Sequence, residues 1–132
     1  NLLRTVRHIA LVGASHKPER PSYQVLEFLL KKGYRVTPVN PGLAGQCLQG
    51  QTVVGALRDI NEPVDLVDIF RDGNALPDLV DEAVAIGAPS LWTQLDVRHP
   101  AAEQNALDQG LSVVIDKCPA KEWPRLEARG LL

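Results

Sequence analysis

The hydrophobic positions near the start of the chain predict a strand followed by a helix. His8 to Gly13 is a continuous apolar run, which is typical of a strand buried on both faces. Apolar positions then recur at spacings of three and four, as on one face of a helix. They are Val25, Leu26, Leu29 and Leu30. We expect Ser22 to cap this helix and Gly33 to end it.

Strand and helix patterns continue to alternate along the rest of the chain. Strands are predicted at 34–39, 64–70, 90–95 and 111–116, with a short edge strand at 52–54. Helices are predicted at 56–60, 76–84, 100–109 and 121–128, and a long turn at 40–50. Because parallel strands need crossover connections, the alternation predicts an α/β fold. We expect a doubly wound, mainly parallel sheet of five or six strands with helices on both faces.

The composition indicates one ordinary globular domain. The 132 residues suit a single domain over 1–132, and apolar and charged fractions of 45% and 23% argue against a disordered chain. The formal charge is −2. Proteins that neutralise nucleic-acid phosphates usually carry a basic excess, so we expect no nucleic-acid partner.

Membrane and metal-binding classes find little support in the sequence. The apolar run from Ile9 to Ala14 is too short to cross a bilayer or to form a signal-peptide core. We therefore expect a soluble, cytoplasmic protein with no membrane partner. Cys47 and Cys118 cannot build a disulfide framework and lack the spacing of metal ligands, so no metal site is predicted.

The junction between the first strand and the first helix has the chemistry of an anion site. In an open parallel sheet the ligand lies beyond the carboxyl ends of the strands, where the strand order reverses. Gly13 allows a tight turn there, and the helix that follows offers free N–H groups to a phosphate. Lys17 and Arg20 add cationic donors to the same loop. The alternative is that Gly13 only turns the chain and that the loop charges are solvated.

Two departures from the dinucleotide fingerprint weigh against NAD. The loop has one glycine, Gly13, where G-x-G-x-x-G has three. The second strand ends in Val39, Asn40 and Pro41, where an NAD site would place a carboxylate for the ribose 2′-hydroxyl. NADP is less excluded, because Lys17 or Arg20 could hold its 2′-phosphate.

Several short motifs resemble those of a known family. In chain order they are Val12-Gly13-Ala14-Ser15, Arg20-Pro21-Ser22, Gly33-Tyr34-Arg35-Val36 and Pro38-Val39-Asn40-Pro41, followed by the segments 64–71, 91–94 and 113–119. Their order and spacing resemble the stand-alone coenzyme A-binding domain proteins. These are Rossmann-like proteins similar to the N-terminal domain of the succinyl-CoA synthetase α subunit. The resemblance covers nearly the whole chain.

The resemblance implies a three-layer Rossmann-like domain with a coenzyme A (CoA) site along the strand ends. The loop from Gly13 to Ser22 would hold the phosphates, residues 39–41 would border the adenosine, and Trp92 and Gln94 would flank the distal arm. The whole implied set is Gly13, Ala14, Ser15, Lys17, Arg20, Pro21, Ser22, Val39, Asn40, Pro41, Phe70, Arg71, Trp92 and Gln94.

Several of these positions have a structural interpretation beside the functional one. Phe70 also fits a core residue at a strand end, and Trp92 also fits ordinary packing. Arg71 could pair with Asp72 instead of a ligand. Asp68 lies inside a predicted strand, where an unpaired carboxylate is costly, so it either finds a partner at the sheet end or helps the site.

Two further side chains leave alternatives open. Cys118 suits a small buried residue, or it faces the thiol of CoA and forms a mixed disulfide. His16 either donates to an anion in the phosphate loop or is solvated.

The sequence contains no recognisable catalytic set. Ser15 has only the adjacent His16 as a candidate base, and no carboxylate pair suggests acid–base chemistry. The synthetase relatives carry their phosphorylated histidine in a different domain, which we do not expect in this chain. We therefore expect a binding protein for CoA or an acyl-CoA, and no ligase activity. The alternatives are an NADP-dependent oxidoreductase and a CoA-sensing regulatory or interaction module.

Overall fold

The computed structural model describes residues 6–94 and 97–115, and the elements alternate as the sequence predicts. The strands are β1 (His8–Val12), β2 (Arg35–Val39), β3 (Cys47–Leu48), β4 (Gln51–Thr52), β5 (Leu66–Ile69), β6 (Ser90–Thr93) and β7 (Ser112–Val114). The helices are α1 (Pro21–Lys31), α2 (Leu76–Ala85) and α3 (Pro100–Asp108), with 3₁₀ turns at Pro41–Leu43, Leu57–Asp59 and Gly73–Ala75. The predicted helix at 121–128 lies outside the described residues.

Five strands form one parallel sheet in the order β2-β1-β5-β6-β7. The chain moves outward from β1 to β2 and then returns to the other side of β1 with β5. The strand order therefore reverses between β1 and β5, which is where a ligand site is expected. The predicted doubly wound parallel sheet is confirmed.

The predicted edge strand at 52–54 does not extend this sheet as a full strand. β4 pairs with β3 in a separate antiparallel hairpin, and Val54 makes a single parallel bridge to Val39. The segment after Val54 consequently starts from the same edge of the sheet as the end of β2.

Helices cover both faces of the sheet, because alternate residues of each buried strand point to opposite sides. Ile9 and Leu11 of β1 pack on the α1 side. Ala10 and Val12 pack on the side covered by α2 and α3. The apolar stripe of α1 is buried through Val25, Leu26 and Leu29. The predicted three layers are thus present.

The predicted cap of α1 is wrong by two residues. The helix begins at Pro21 with Arg20 as its N-cap, and no side chain caps it. Ser22 therefore lies inside the first turn. Pro21 suits the first helical position because its fixed φ is already helical and its missing N–H needs no partner. Gly33, with φ of +90°, follows the last turn as predicted.

Helix α3 begins with a reciprocal arrangement of side chains and backbone. His99 Nδ1 accepts the N–H of Ala102 at 3.1 Å, and Glu103 accepts the N–H of His99 at 2.8 Å. Two guanidinium hydrogen bonds from Arg98, at 3.0 and 3.1 Å, hold the same carboxylate. These contacts fix the segment that connects β6 to α3. None of the helices in the described part of the chain is long and apolar enough to cross a membrane.

Candidate functional site

A wide cleft opens at the carboxyl ends of β1, β2 and β5, where the strand order reverses. Its volume is about 1580 Å³, which exceeds the roughly 300–1,000 Å³ typical of sites for drug-sized ligands. The cleft therefore suits an extended ligand such as a nucleotide cofactor. The implied site residues that line it are Gly13, Ala14, Ser15, Lys17, Arg20, Pro21, Ser22, Val39, Asn40, Pro41, Phe70, Arg71 and Gln94.

Trp92 is absent from the wall of the cleft. Its side chain is 3% exposed and belongs to the core on the α1 side of the sheet. It lies on β6 in register with Asp68 of β5, within the sheet rather than at its edge. The structural interpretation of Trp92 thus describes its place in the fold, and we leave it out of the site proposed below.

Gly13 makes a turn that no other residue could make in the same way. Its φ is +89°, and a Cβ there would lie 2.8 Å from the carbonyl oxygen of Phe70. The N–H groups of Gly13 and Ala14 both donate to the carbonyl oxygen of Val39, at 3.0 and 3.2 Å. The turn thus ties β1 to β2 and β5, and these two amide protons are not available to a ligand.

The free N–H groups of the loop lie further along the chain. Lys17 donates its N–H to Ser15 Oγ at 3.1 Å, and Arg20 donates to the carbonyl oxygen of Lys17 at 3.0 Å. Within the described residues, the N–H groups of Ser15, His16 and Ser22 have no hydrogen-bond partner. Ser15 and His16 in the loop and Ser22 in the first turn of α1 therefore carry the donors that an anion needs.

Asn40 joins two loops at the border of the cleft. Its Nδ2 donates to the carbonyl oxygen of Ala14 at 2.7 Å, and its Oδ1 accepts the N–H of Gly42 at 2.8 Å. Both ends of the amide are thus engaged by the protein. Asn40 shapes a neutral border at the end of β2 and holds the β1–α1 loop in place.

Cations outnumber carboxylates around the cleft. Four exposed cationic side chains line it: Lys17, Arg20, Arg58 and Arg71. The lining carboxylates are Asp59 and Glu82. None of the four cations takes part in an ion pair with another described residue. Asp72 accepts the N–H of Asn74 at 2.9 Å and forms no pair with Arg71.

Phe70 is both a core residue at a strand end and part of the cleft wall. It is half-buried, packs against the core on the α1 side, and also lines the cleft. It therefore contributes apolar surface to the wall at the point where the strand order reverses.

One wall of the cleft was not expected from the sequence. The segment from Gly55 to Asp59, with Leu79 and Glu82 of α2, lines the same cleft as the β1–α1 loop. No motif marks these residues. The signal that could have found them is the pairing of Val54 with Val39, which brings the following segment to the same sheet edge.

Asp68 and Gln94 form a buried polar pair behind the cleft. Asp68 is fully buried, and its Oδ1 accepts a hydrogen bond from Gln94 Nε2. Asp68 Oδ2 has no partner among the described residues. Burial raises the pKa of this carboxyl to about 7, and the hydrogen bond from Gln94 opposes the rise. Gln94 is 6% exposed and lines the cleft, so the pair links the middle of the sheet to the site.

Neither cysteine is part of the described cleft wall. Cys47 is an exposed free thiol on the β3–β4 hairpin and is not part of the cleft wall. Cys118 lies outside the described residues, so its two interpretations stay predictions. No group of three His, Cys, Asp or Glu residues in the described ranges is placed to hold a metal ion.

Comparison with known proteins agrees with this architecture. Residues 7–124 match a family described as the CoA binding domain. The protein YneT of Bacillus subtilis (strain 168) is 33% identical over 117 residues, which are 89% of this chain and 85% of YneT. The solved structure of cell-free ID.343 from Thermus thermophilus is 40% identical with a TM-score of 0.91, and the match covers 95% of this chain and 93% of that one.

A more distant likeness extends to part of a larger protein. The dinucleotide-forming acetyl-coenzyme A synthetase 1 of Ca. Korarchaeum cryptofilum is 24% identical with a TM-score of 0.72. The match covers 86% of this chain and 27% of that one. At this identity the likeness is one of fold, and it places the fold of this chain within a part of the larger protein.

Proposed function

The chain belongs to the family of CoA binding domains, and from that premise we propose that it binds CoA or an acyl-CoA in the cleft. The anionic groups would lie at the β1–α1 loop, held by the free N–H groups of Ser15, His16 and Ser22 and by Lys17 and Arg20. The observation that carries the proposal is the presence of these donors, unpaired within the described residues, at one side of a cleft of about 1580 Å³.

The charge around the cleft supports a ligand with several anionic groups. CoA carries a diphosphate and a ribose 3′-phosphate, which need more than one cationic contact. Arg58 and Arg71 line other parts of the same cleft, so phosphates held apart from the loop would also meet a cation. The N-terminus of α1 adds the favourable end of its dipole.

The end of β2 favours CoA over NAD. A carboxylate at that position binds the ribose 2′-hydroxyl of NAD. This chain has Asn40 instead, and both ends of its amide are bonded to the protein. A neutral border avoids the repulsion that a carboxylate would exert on a nearby 3′-phosphate. In this proposal Val39, Asn40 and Pro41 border the adenosine.

The other side of the cleft offers walls for the rest of the ligand. Phe70 and Arg71 follow β5, and Gln94 follows β6. We assign the nucleotide or the start of the arm to the first two residues and the distal arm to Gln94. Binding is the whole of this proposal, and it includes no catalytic step.

A panel of ligands tests the assignment of CoA. We expect CoA or acetyl-CoA to raise the unfolding midpoint, and NAD to leave it unchanged. A ligand at a hundredfold excess over its Kd stabilises the folded state by about 2.7 kcal/mol. Thermal unfolding with CoA, acetyl-CoA, NAD and NADP measures this. Stabilisation by NADP without stabilisation by either CoA compound would replace the proposal with an NADP-dependent oxidoreductase.

Arg20→Ala tests the anion site itself. We expect its affinity for CoA to fall by about 10- to 100-fold, since a hydrogen bond to a charged group contributes roughly 1.5–3 kcal/mol. A larger loss for CoA than for dephospho-CoA would place Arg20 at the 3′-phosphate, and equal losses would place it at the diphosphate. Isothermal titration with both ligands measures the difference.

Arg7→Ala is the matched control for this experiment. Arg7 is exposed and precedes β1, so it lies at the opposite edge of the sheet. The substitution removes the same charge, and we expect unchanged affinity for both ligands. An Arg20→Ala variant that binds both ligands as tightly as Arg7→Ala would remove Arg20 from the site.

A further inference from the structure

We propose that Gln94, held in place by Asp68, forms a hydrogen-bond acceptor subsite for an N–H donor on the distal arm of the ligand. The proposal rests on the proposed function and names the chemistry of one part of that site. Gln94 contacts the ligand, and Asp68 is a positioning residue that acts through it.

The hydrogen bonds of Gln94 leave one group of the residue open. Its backbone N–H donates to the carbonyl oxygen of Ile69 at 3.2 Å, and its carbonyl oxygen accepts the N–H of Val97 at 3.1 Å. Nε2 donates to Asp68. Within the described part of the chain, the side-chain oxygen Oε1 has no partner. The side chain is more than nine-tenths buried and belongs to the cleft wall.

Asp68 determines which end of the Gln94 amide is left over. An ionised carboxylate only accepts hydrogen bonds, so the amide must turn its NH₂ group toward Asp68. Oε1 is then the group that remains for a ligand. The contacts to Ile69 and Val97 fix the main chain of Gln94, and burial keeps the side-chain amide beside Asp68.

The surroundings of Asp68 make this orientation depend on one carboxyl group. Its neighbours in register are Leu11 on β1 and Trp92 on β6, and α1 covers the same face with apolar side chains. The charged residues of α1, Glu27 and Lys31, are exposed and pair with each other at the surface, away from the buried face of the helix. Among the described residues, burial and the Gln94 hydrogen bond alone set the pKa of Asp68.

Acceptor chemistry selects the part of CoA that would bind there. The phosphates are acceptors and would be repelled by a carbonyl oxygen. The pantetheine arm carries amide N–H groups, which donate hydrogen bonds to carbonyl oxygens. Protonation of Asp68 would let the carboxyl donate to Oε1 after rotation of the amide, and would then present NH₂ to the ligand. Binding of the arm and ionisation of Asp68 are therefore linked.

The experiment compares dephospho-CoA, which has the arm and lacks the 3′-phosphate, with ADP-ribose, which has neither and whose diphosphate is likewise esterified at both ends, so that neither ligand's phosphates titrate near pH 7. Isothermal titration from pH 5.5 to 8.5 measures both affinities, and the ratio is the affinity for dephospho-CoA divided by that for the ligand without the arm. His16, Asp59 and Glu82 also line the cleft, and Asp68→Asn keeps all three, so a pH dependence that comes from them would persist in that variant. For the wild type we expect the ratio to fall about 5- to 10-fold as the pH decreases through 7.

Two variants separate the roles of the pair. Gln94→Leu should reduce the affinity for dephospho-CoA about 5- to 10-fold and leave that for ADP-ribose unchanged. Asp68→Asn keeps the size of the side chain and cannot ionise, so the ratio should become independent of pH. Because Gln94→Leu removes the only donor to a buried carboxyl in the described structure, Asp68→Asn serves as the test if that variant fails to fold.

The outcomes distinguish the two proposals. Failure of the wild type to bind CoA or dephospho-CoA would overturn the proposed function together with this inference. Binding of dephospho-CoA with a ratio that does not change with pH would overturn this inference alone. The same holds if Gln94→Leu binds dephospho-CoA as tightly as the wild type does, or if the pH dependence persists in Asp68→Asn.

Discussion

Asp68→Asn is expected to remove a loss of stability that the wild type shows between about pH 4 and 7. Burial raises the pKa of Asp68 from 3.8 to about 7 in the folded protein. In this range the folded state keeps a proton that the unfolded state releases. The free energy of unfolding therefore decreases as the pH rises, by on the order of 4 kcal/mol for a shift of about three pK units. Asparagine has no proton to release, so the variant should lose this slope.

Two other carboxyl groups affect the free energy of unfolding at lower pH, and their contribution increases rather than decreases as the pH rises. N–H groups of His8 and Arg7 lower the pKa of Asp65, and the Arg98 guanidinium lowers that of Glu103. Both stabilise the fold above their usual pKa, and both lose that contribution as the pH falls through the folded value. Stability should therefore be highest near pH 4 to 5 in the wild type.

Urea unfolding at intervals from pH 3 to 8 measures these slopes. Glu103→Gln is the control, because it should change the acid limb and keep the decrease between pH 5 and 7. Parallel curves for the wild type and Asp68→Asn above pH 5 would contradict the burial of an isolated carboxyl. Their separation by several kcal/mol at pH 8, with Asp68→Asn the more stable, is the expected result.

The position of Asp68 destabilises the folded state, and this cost points to a role of the residue in function. A carboxylate with one oxygen unpartnered within the described residues, between Leu11 and Trp92, destabilises the folded state at neutral pH. Ionisable groups in such places concentrate at binding and catalytic sites. The one partner that the described structure gives it, Gln94, reaches the cleft. Stability and binding would thus be opposed at this residue.

The sequence was sufficient to locate the cleft because strand ends determine its position. The apolar runs of β1 and β5 are unambiguous, and parallel strands bring their carboxyl ends to one edge. The loop from Gly13 to Ser22 and the residues after β2 could therefore be assigned to one site from the order of elements alone. That assignment needs no knowledge of side-chain packing.

The features that the sequence left open or missed have a common cause, which is that local patterns do not record tertiary contacts. Trp92 precedes the end of β6, and only the strand register shows that it faces the core on the α1 side. The N–H groups of Gly13 and Ala14 both donate to the carbonyl oxygen of Val39, a contact between β1 and β2 that the loop sequence does not show. Arg58 lies in a connection that no motif marks, and the bridge between Val54 and Val39 brings it to the site.

Gly73→Ala is expected to destabilise the protein by on the order of 3 kcal/mol, because there is no room for a Cβ atom. An ideal Cβ would lie 2.1 Å from the carbonyl oxygen of Arg98 and 3.1 Å from its carbonyl carbon. These are backbone atoms, and the contacts of Arg98 and His99 with Glu103 hold that segment to α3. The substitution must therefore push the β5–α2 loop away from the segment before α3.

Gly110→Ala is the matched control, since it adds the same methyl group after α3 where nothing lies within 4 Å. Its φ of +88° costs only the strain of a left-handed alanine, about 1 kcal/mol. Equal midpoints of urea unfolding for the two variants would show that the loops adapt freely. The β5–α2 loop begins with Phe70 and Arg71, and the neighbouring segment follows Gln94. Displacement of one against the other should therefore also weaken the binding of CoA, whereas Gly110→Ala leaves the cleft intact.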